Sequence, residues 1–146
     1  MVARKRKQRR ELSEDEVNAY LDRRAEWAVL TTVGRDGMPH SVPLGYFRLG
    51  DHLYLGMREG SQKIKNIERD PHVSVLVTSA KATGDITGVL VQGTGTLIRD
   101  SGRRLELARG LARQRGTPET ELPDSVSEDG VYVQVARERV VSWNYR

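Results

Sequence analysis

The sequence contains no cysteine, and that gap removes disulfides, thiolate catalysis and thiolate-bound zinc together. No apolar run approaches the roughly 18 residues that a membrane-spanning helix needs, and no apolar stretch follows the N-terminal charges to make a secretory signal. A cytoplasmic location and no membrane partner are therefore expected. The three histidines, His40, His52 and His72, are too scattered for a metal triad, so no metal site is predicted. No set of side chains reads as a catalytic triad or an acid/base pair, and no catalytic residue is predicted. What remains is a chain of 146 residues, 37% hydrophobic and 30% charged, which suits one domain with a real core.

Net positive charge, by contrast, is present but local. Residues 1–10, MVARKRKQRR, hold Arg4, Lys5, Arg6, Lys7, Arg9 and Arg10 without an acid. Those six charges exceed the net +4, which leaves the body at about −2, four minus six. A nucleic-acid domain would spread its cations over the folded body, and here no aromatic or apolar residue is interleaved with them. The expectation is a disordered basic arm over residues 1–12, a single domain at 13–146 and no nucleic-acid partner. An arm that touches nucleic acid or anionic lipid is the alternative.

Within the body the periodicities change repeatedly. Ser13 and Glu16 form a capping box, and Val17, Tyr20, Leu21 and Arg24 recur at helical spacing, predicting a helix over 14–26. Trp27 to Val33 is β-rich, Arg35-Asp36-Gly37 supplies turn chemistry, and His40 to Arg48 reads as a second strand. After Leu49-Gly50-Asp51, a third strand follows at 52–57. A short helix over 61–70 stops at Pro71, and the run VSVLVTS has the apolarity of a central strand. Residues 80–88 read as a loop or a ragged hairpin. The strand at 89–98 carries Gly93 and Gly95, which suggest a bulge or a close approach. A helix over 102–115 places Leu105, Ala108, Leu111 and Ala112 on one face, and the acidic, proline-bearing 117–130 reads as a loop before one or two closing strands. The fold class is mainly β: six to seven mostly antiparallel strands in a small barrel, with three helices packed outside.

The stretch EGSQKIKNIERDP, 59–71, is odd for a helix start. Acidic residues are favoured there, yet Ser61, Lys63 and Lys65 crowd the first turns. Free backbone N–H groups and the helix dipole together make an anion site, and lysines added to it destabilise the helix unless an anion is normally present. A phosphate is the natural occupant. Lysines that point to solvent, with Ser61 acting only as a cap, would be the bland reading.

The runs AVLTTVGRDGMPHSVPLGYF, DHLYLGMREGSQKIKNIERDPHVSVLV and VLVQGTGTLI resemble the split-barrel flavoproteins related to pyridoxamine 5′-phosphate oxidase, including relatives that use the deazaflavin F420. The likeness covers residues 14 to about 100 and rests on T-x-x-x-D-G-x-P-H followed by S-x-K-x-(K/R)-N-x-x-x-D-P. It implies a split barrel, a homodimer with the cofactor between subunits, and hydride transfer between FMN or F420 and a small organic substrate. Ser61, Gln62, Lys63 and Lys65 would hold the cofactor phosphate, with Gln62 standing where the oxidase usually has arginine. The ring would lie along Ser41, Val42 and Pro43, with Leu55 and Gly56 on the neighbouring strand. Gly88 to Gln92 and Trp143 would contribute from the partner strand, although Trp143 could equally be packing. The family's oxidase ends in R-L-H-D-R, which this sequence replaces with Val141-Ser142-Trp143-Asn144-Tyr145-Arg146, so pyridoxamine phosphate is not the expected substrate. A flavin or haem carrier without turnover is the alternative function, and a nucleic-acid module led by the arm the second.

Overall fold

The computed structural model describes residues 8–23, 27–81 and 84–145. Helix α1, Glu14–Asp22, begins at the expected capping box: the Glu16 amide donates to Ser13 Oγ at 3.2 Å, and the Ser13 amide donates to Glu16 Oε1 at 3.3 Å. Its last residue falls short of the expected end, and positions 24–26 lie outside the described residues. Residues 1–7 of the basic arm are also outside them. Residues 9 and 10, expected in a disordered arm, instead form a short strand β1, Arg9–Arg10, paired with Tyr145 and Asn144. Local composition could not show this, because the partner lies at the far end of the chain.

Strands β2, Ala28–Val33, and β3, Pro39–Leu44, form the expected hairpin, with Gly37 at φ +83° in its turn. The single strand expected over 40–48 is in fact two. The chain breaks at Gly45 and continues as β4, Tyr46–Leu49, because β3 pairs with β2 whereas β4 pairs with β5, His52–Arg58. Then come α2, Gln62–Arg69, β6, His72–Ala80, and β7, Ile86–Ile98. Helix α3, Ser101–Gln114, a single 3₁₀ turn at Glu119–Glu121, and strands β8, Gly130–Ala136, and β9, Arg139–Tyr145, complete the described chain.

Seven strands run in the order β3-β2-β6-β7-β8-β5-β4, all antiparallel, with β9 on β7 and β1 on β9. The nine strands among the described residues exceed the expected six to seven through the split of 40–48 into β3 and β4 and through the short β1. The long β7 splits the barrel: Ile86–Gln92 pairs with β9, and Gly95–Ile98 pairs with β8. Gly93 sits at the changeover, where a Cβ would collide with the Ala136 carbonyl, so the close approach read from the glycines is real.

Leu30, Leu53, Leu55, Ile64, Val75, Val91, Val133 and Val135 fill the interior and are fully buried. Each contributes about 1.5–3 kcal/mol. A second cluster, Phe47, Tyr54 and Leu107, lies under α3. The buried residues of α3 are Arg104 and Leu107 rather than Leu105 and Ala108. Arg104 buries its stem and donates to the carbonyls of Arg99 (3.0 Å) and Ser127 (2.6 Å), a role that a hydrophobic pattern cannot register. Among the described residues no helix is long and apolar enough to cross a membrane.

Candidate cofactor-binding site

Helix α2 starts without the satisfaction that α1 enjoys. Ser61 occupies the N-cap with extended backbone, φ −69° and ψ 154°, yet its hydroxyl makes no capping bond. Ser61 Oγ is buried with no hydrogen-bond partner among the described residues. The amides of Gln62, Lys63 and Ile64 likewise have no protein acceptor among them. No acid stands in the first turn, and neither Lys63 nor Lys65 makes an ion pair there. The nearest acid upstream, Glu59, is held by Arg99 through bonds of 2.8 and 2.9 Å. That hydrogen bonding keeps its carboxyl below the usual range, so its charge belongs to Arg99. An orphaned hydroxyl, three open amides and two lysines without an ion pair among the described residues are groups with which a helix start can meet an anion.

The helix is fixed to the sheet by a polar link. Asn66, 0% exposed, donates from Nδ2 to Thr32 Oγ1 on β2 at 3.0 Å. Its Oδ1 accepts from Gln62 Nε2 (2.9 Å) and Arg69 Nη2 (3.1 Å), and Arg69 also reaches the Val33 carbonyl at 3.0 Å. Gln62 is thereby turned along the helix, one turn from Asn66. Sequence reading did not single out Asn66; its placement between Ile64 and Ile67 on a buried face was the available signal, since a buried amide must find partners.

Strand β3 ends the strand order and pairs only with β2. Proline fits there because it has no N–H to give the ladder, and Pro39 and Pro43 face Val33 and Val29. Ser41 shares their parity, so its amide and carbonyl fall on the open edge. Its hydroxyl meets Thr31 Oγ1 at 2.8 Å. Val42, opposite the buried Leu30, faces the other way. His40, opposite Thr32, has a buried Nδ1 without a partner among the described residues.

The remaining predicted residues fall apart from these. Leu55 and Gly56 lie on β5, which pairs with β4 and β8, so the expected neighbouring position beside β3 is corrected: no ladder joins the two strands. Leu55 is fully buried, which leaves only its backbone to meet a ligand, whereas Gly56 is exposed. Trp143 lies opposite Gly88, where a Cβ would strike the indole, so glycine makes room for the ring within one chain. Across the outer face of the sheet Pro43, Val29, Leu76, Leu90 and Val141 stand in register, an apolar row none of them fully buried. Among the described residues no cluster of acids and histidines is placed to hold a metal.

The chain is thus a split antiparallel barrel with an unsatisfied helix start and an open strand edge. Residues 13–142 match the family described as pyridoxamine 5′-phosphate oxidase, and the chain belongs to that family. No curated protein matches it. Among solved structures, it is similar to a conserved hypothetical protein from Mycobacterium tuberculosis, 22% identical, TM-score 0.79, covering 99% of this chain and 90% of that one. It is similar to an FAD-binding protein from Mesorhizobium loti, 26% identical, TM-score 0.72, covering 96% and 98%. An F420 reductase is 23% identical with a TM-score of 0.59, covering 84% and 94%.

Proposed function

We propose that the protein is a homodimeric oxidoreductase that holds FMN or F420 and reduces or oxidises a small organic substrate other than pyridoxamine phosphate. The observation that carries this is the start of α2: a buried serine hydroxyl without a partner among the described residues, on a helix whose first turns hold lysines and no acid. Ser61, Lys63 and Lys65 would take the phosphate, with Gln62 beside them on Asn66. The open edge at Ser41, Val42 and Pro43 would receive the ring, its backbone groups bonding the polar rim. A bound flavin or deazaflavin supplies hydride chemistry; the chain orients it and excludes water. The apolar row from Pro43 to Val141 supports a second copy of the chain as the cover of that face, which would bring Trp143 and Gly56 toward the shared site.

Equilibrium titration of the purified protein with FMN and, separately, with F420 tests the reading. Micromolar or tighter binding of one is expected. Absence of binding for both would refute the reading. Acceptor-dependent reoxidation of the reduced, loaded protein separates an enzyme from a carrier, for which FAD-binding in the Mesorhizobium loti relative is the supporting observation.

A further inference from the structure

A second row crosses the same outer face, next to the apolar one. Ser41, Thr31, Ser74, Gln92 and Arg139 stand in register on five successive strands, β3, β2, β6, β7 and β9. Every member is polar, although alternation required only that the face be exposed. A cavity of about 410 Å³ lies over this row, and its lining includes Thr31, Ser74, Gln92 and Arg139 together with His72 and Glu138. That volume falls in the range of small-molecule sites.

Of the charged groups at the cavity, Arg139 lacks a side-chain partner among the described residues, and the Glu138 carboxylate has only a neutral one. Glu138 accepts from Thr94 Oγ1 at 2.8 Å. His72 Nδ1 lies 2.7 Å from Asp70 Oδ1. Arg139 makes no ion pair or side-chain hydrogen bond among the described residues, and neither do Ser74 and Gln92. The lining therefore offers a free guanidinium, a free hydroxyl and a free amide, a set in which donors outnumber acceptors.

From this we infer that the cavity is the substrate pocket and that its substrate is a small planar molecule bearing a carboxylate or comparable anionic group, held by Arg139 and presented across Ser74 and Gln92. The inference rests on the cofactor reading in one respect: Thr31, which lines the cavity, is bonded to Ser41 on the edge proposed for the ring. A ring on that edge forms the cavity's side wall, and a substrate bound in it lies against the ring.

Benzoate and benzamide, of nearly equal shape but different charge, are the probes. They are titrated into FMN-loaded wild type, Arg139→Gln and Arg139→Lys, followed by calorimetry and by the visible spectrum of the flavin. Arg139 is exposed, so the variants should fold. About a tenfold preference for benzoate is expected in wild type and Arg139→Lys, vanishing in Arg139→Gln, with a shifted flavin band on binding. Equal binding of the two probes, or a preference that survives Arg139→Gln, overturns the inference. Should the protein take up neither FMN nor F420, the same calorimetry on the cofactor-free protein decides: a preference dependent on Arg139 preserves the anion pocket while the cofactor reading falls, and no preference sinks both.

Discussion

Two helices of this protein begin with serine, and they use it in opposite ways. At α1 the Ser13 hydroxyl caps the Glu16 amide, Glu16 returns the bond, and three acids fill the first turn. At α2 the Ser61 hydroxyl and three amides find no partner among the described residues, and lysines replace the acids. Helix physics favours the first arrangement by about 1 kcal/mol for the cap and some tenths for each well-placed charge. The second persists because α2 is held from elsewhere: Asn66 ties it to Thr32, and Ile64 and Ile67 are buried in the core. An end stabilised by its own sequence is closed to ligands; an end stabilised by tertiary contacts can stay open to one.

The largest effect should come from removing the cations. Lys63→Ala with Lys65→Ala is expected to weaken FMN or F420 binding by about 100-fold while leaving the melting temperature unchanged or slightly raised. Unaltered affinity in an equilibrium titration would reject the proposed phosphate site. Next, Asn66→Ala should destabilise the protein by about 2 kcal/mol, because Thr32 loses its buried partner and Gln62 and Arg69 lose theirs; a denaturant midpoint shift measures it.

Exchanging the two serines sharpens the contrast. Ser13→Ala should lower stability by about 1 kcal/mol with no change in cofactor affinity. Ser61→Ala should do the reverse, lowering affinity by about tenfold and leaving the cofactor-free protein near wild type. Identical behaviour of the two variants would erase the distinction drawn here.

The smallest effect is a pH dependence confined to α1. Hydrogen bonding from Arg10 pulls the Glu16 carboxyl down to about 2. Its folded value lies below the unfolded one, so its contribution is present above about pH 4.5 and disappears as pH falls toward 2. Melting temperatures across that window should fall less steeply for Glu16→Gln than for wild type. The pair is exposed, so the difference is modest.

Local rules made much of the fold legible. Capping at Ser13, the turn at Gly37 and the alternation of Val73, Val75 and Val77 are encoded within a few residues of where they act. The break at Gly45 was not legible, because continuous β-rich sequence does not say that its two halves pair with different strands. Nor was the pairing of Arg9 and Arg10 with β9, or the burial of Arg104, whose partners are carbonyls outside its own helix turn. The candidate site divides the same way. Lysines at a helix start are an anomaly that one sequence can display, whereas the link through Asn66 and the polar row ending at Arg139 join residues far apart in the chain.

The sequence by itself determined the turn at Gly37, which helix carries the wrong charge for its own dipole, and that the body has no cysteine and no net positive charge, because each depends on residue identity and short-range spacing. Only the tertiary structure decided that the Ser61 hydroxyl finds no partner among the described residues, that β3 is an open edge, and that four polar residues from four strands face one cavity. Those properties depend on register and on what is absent from a side chain's surroundings, and both are set by the packing of distant segments.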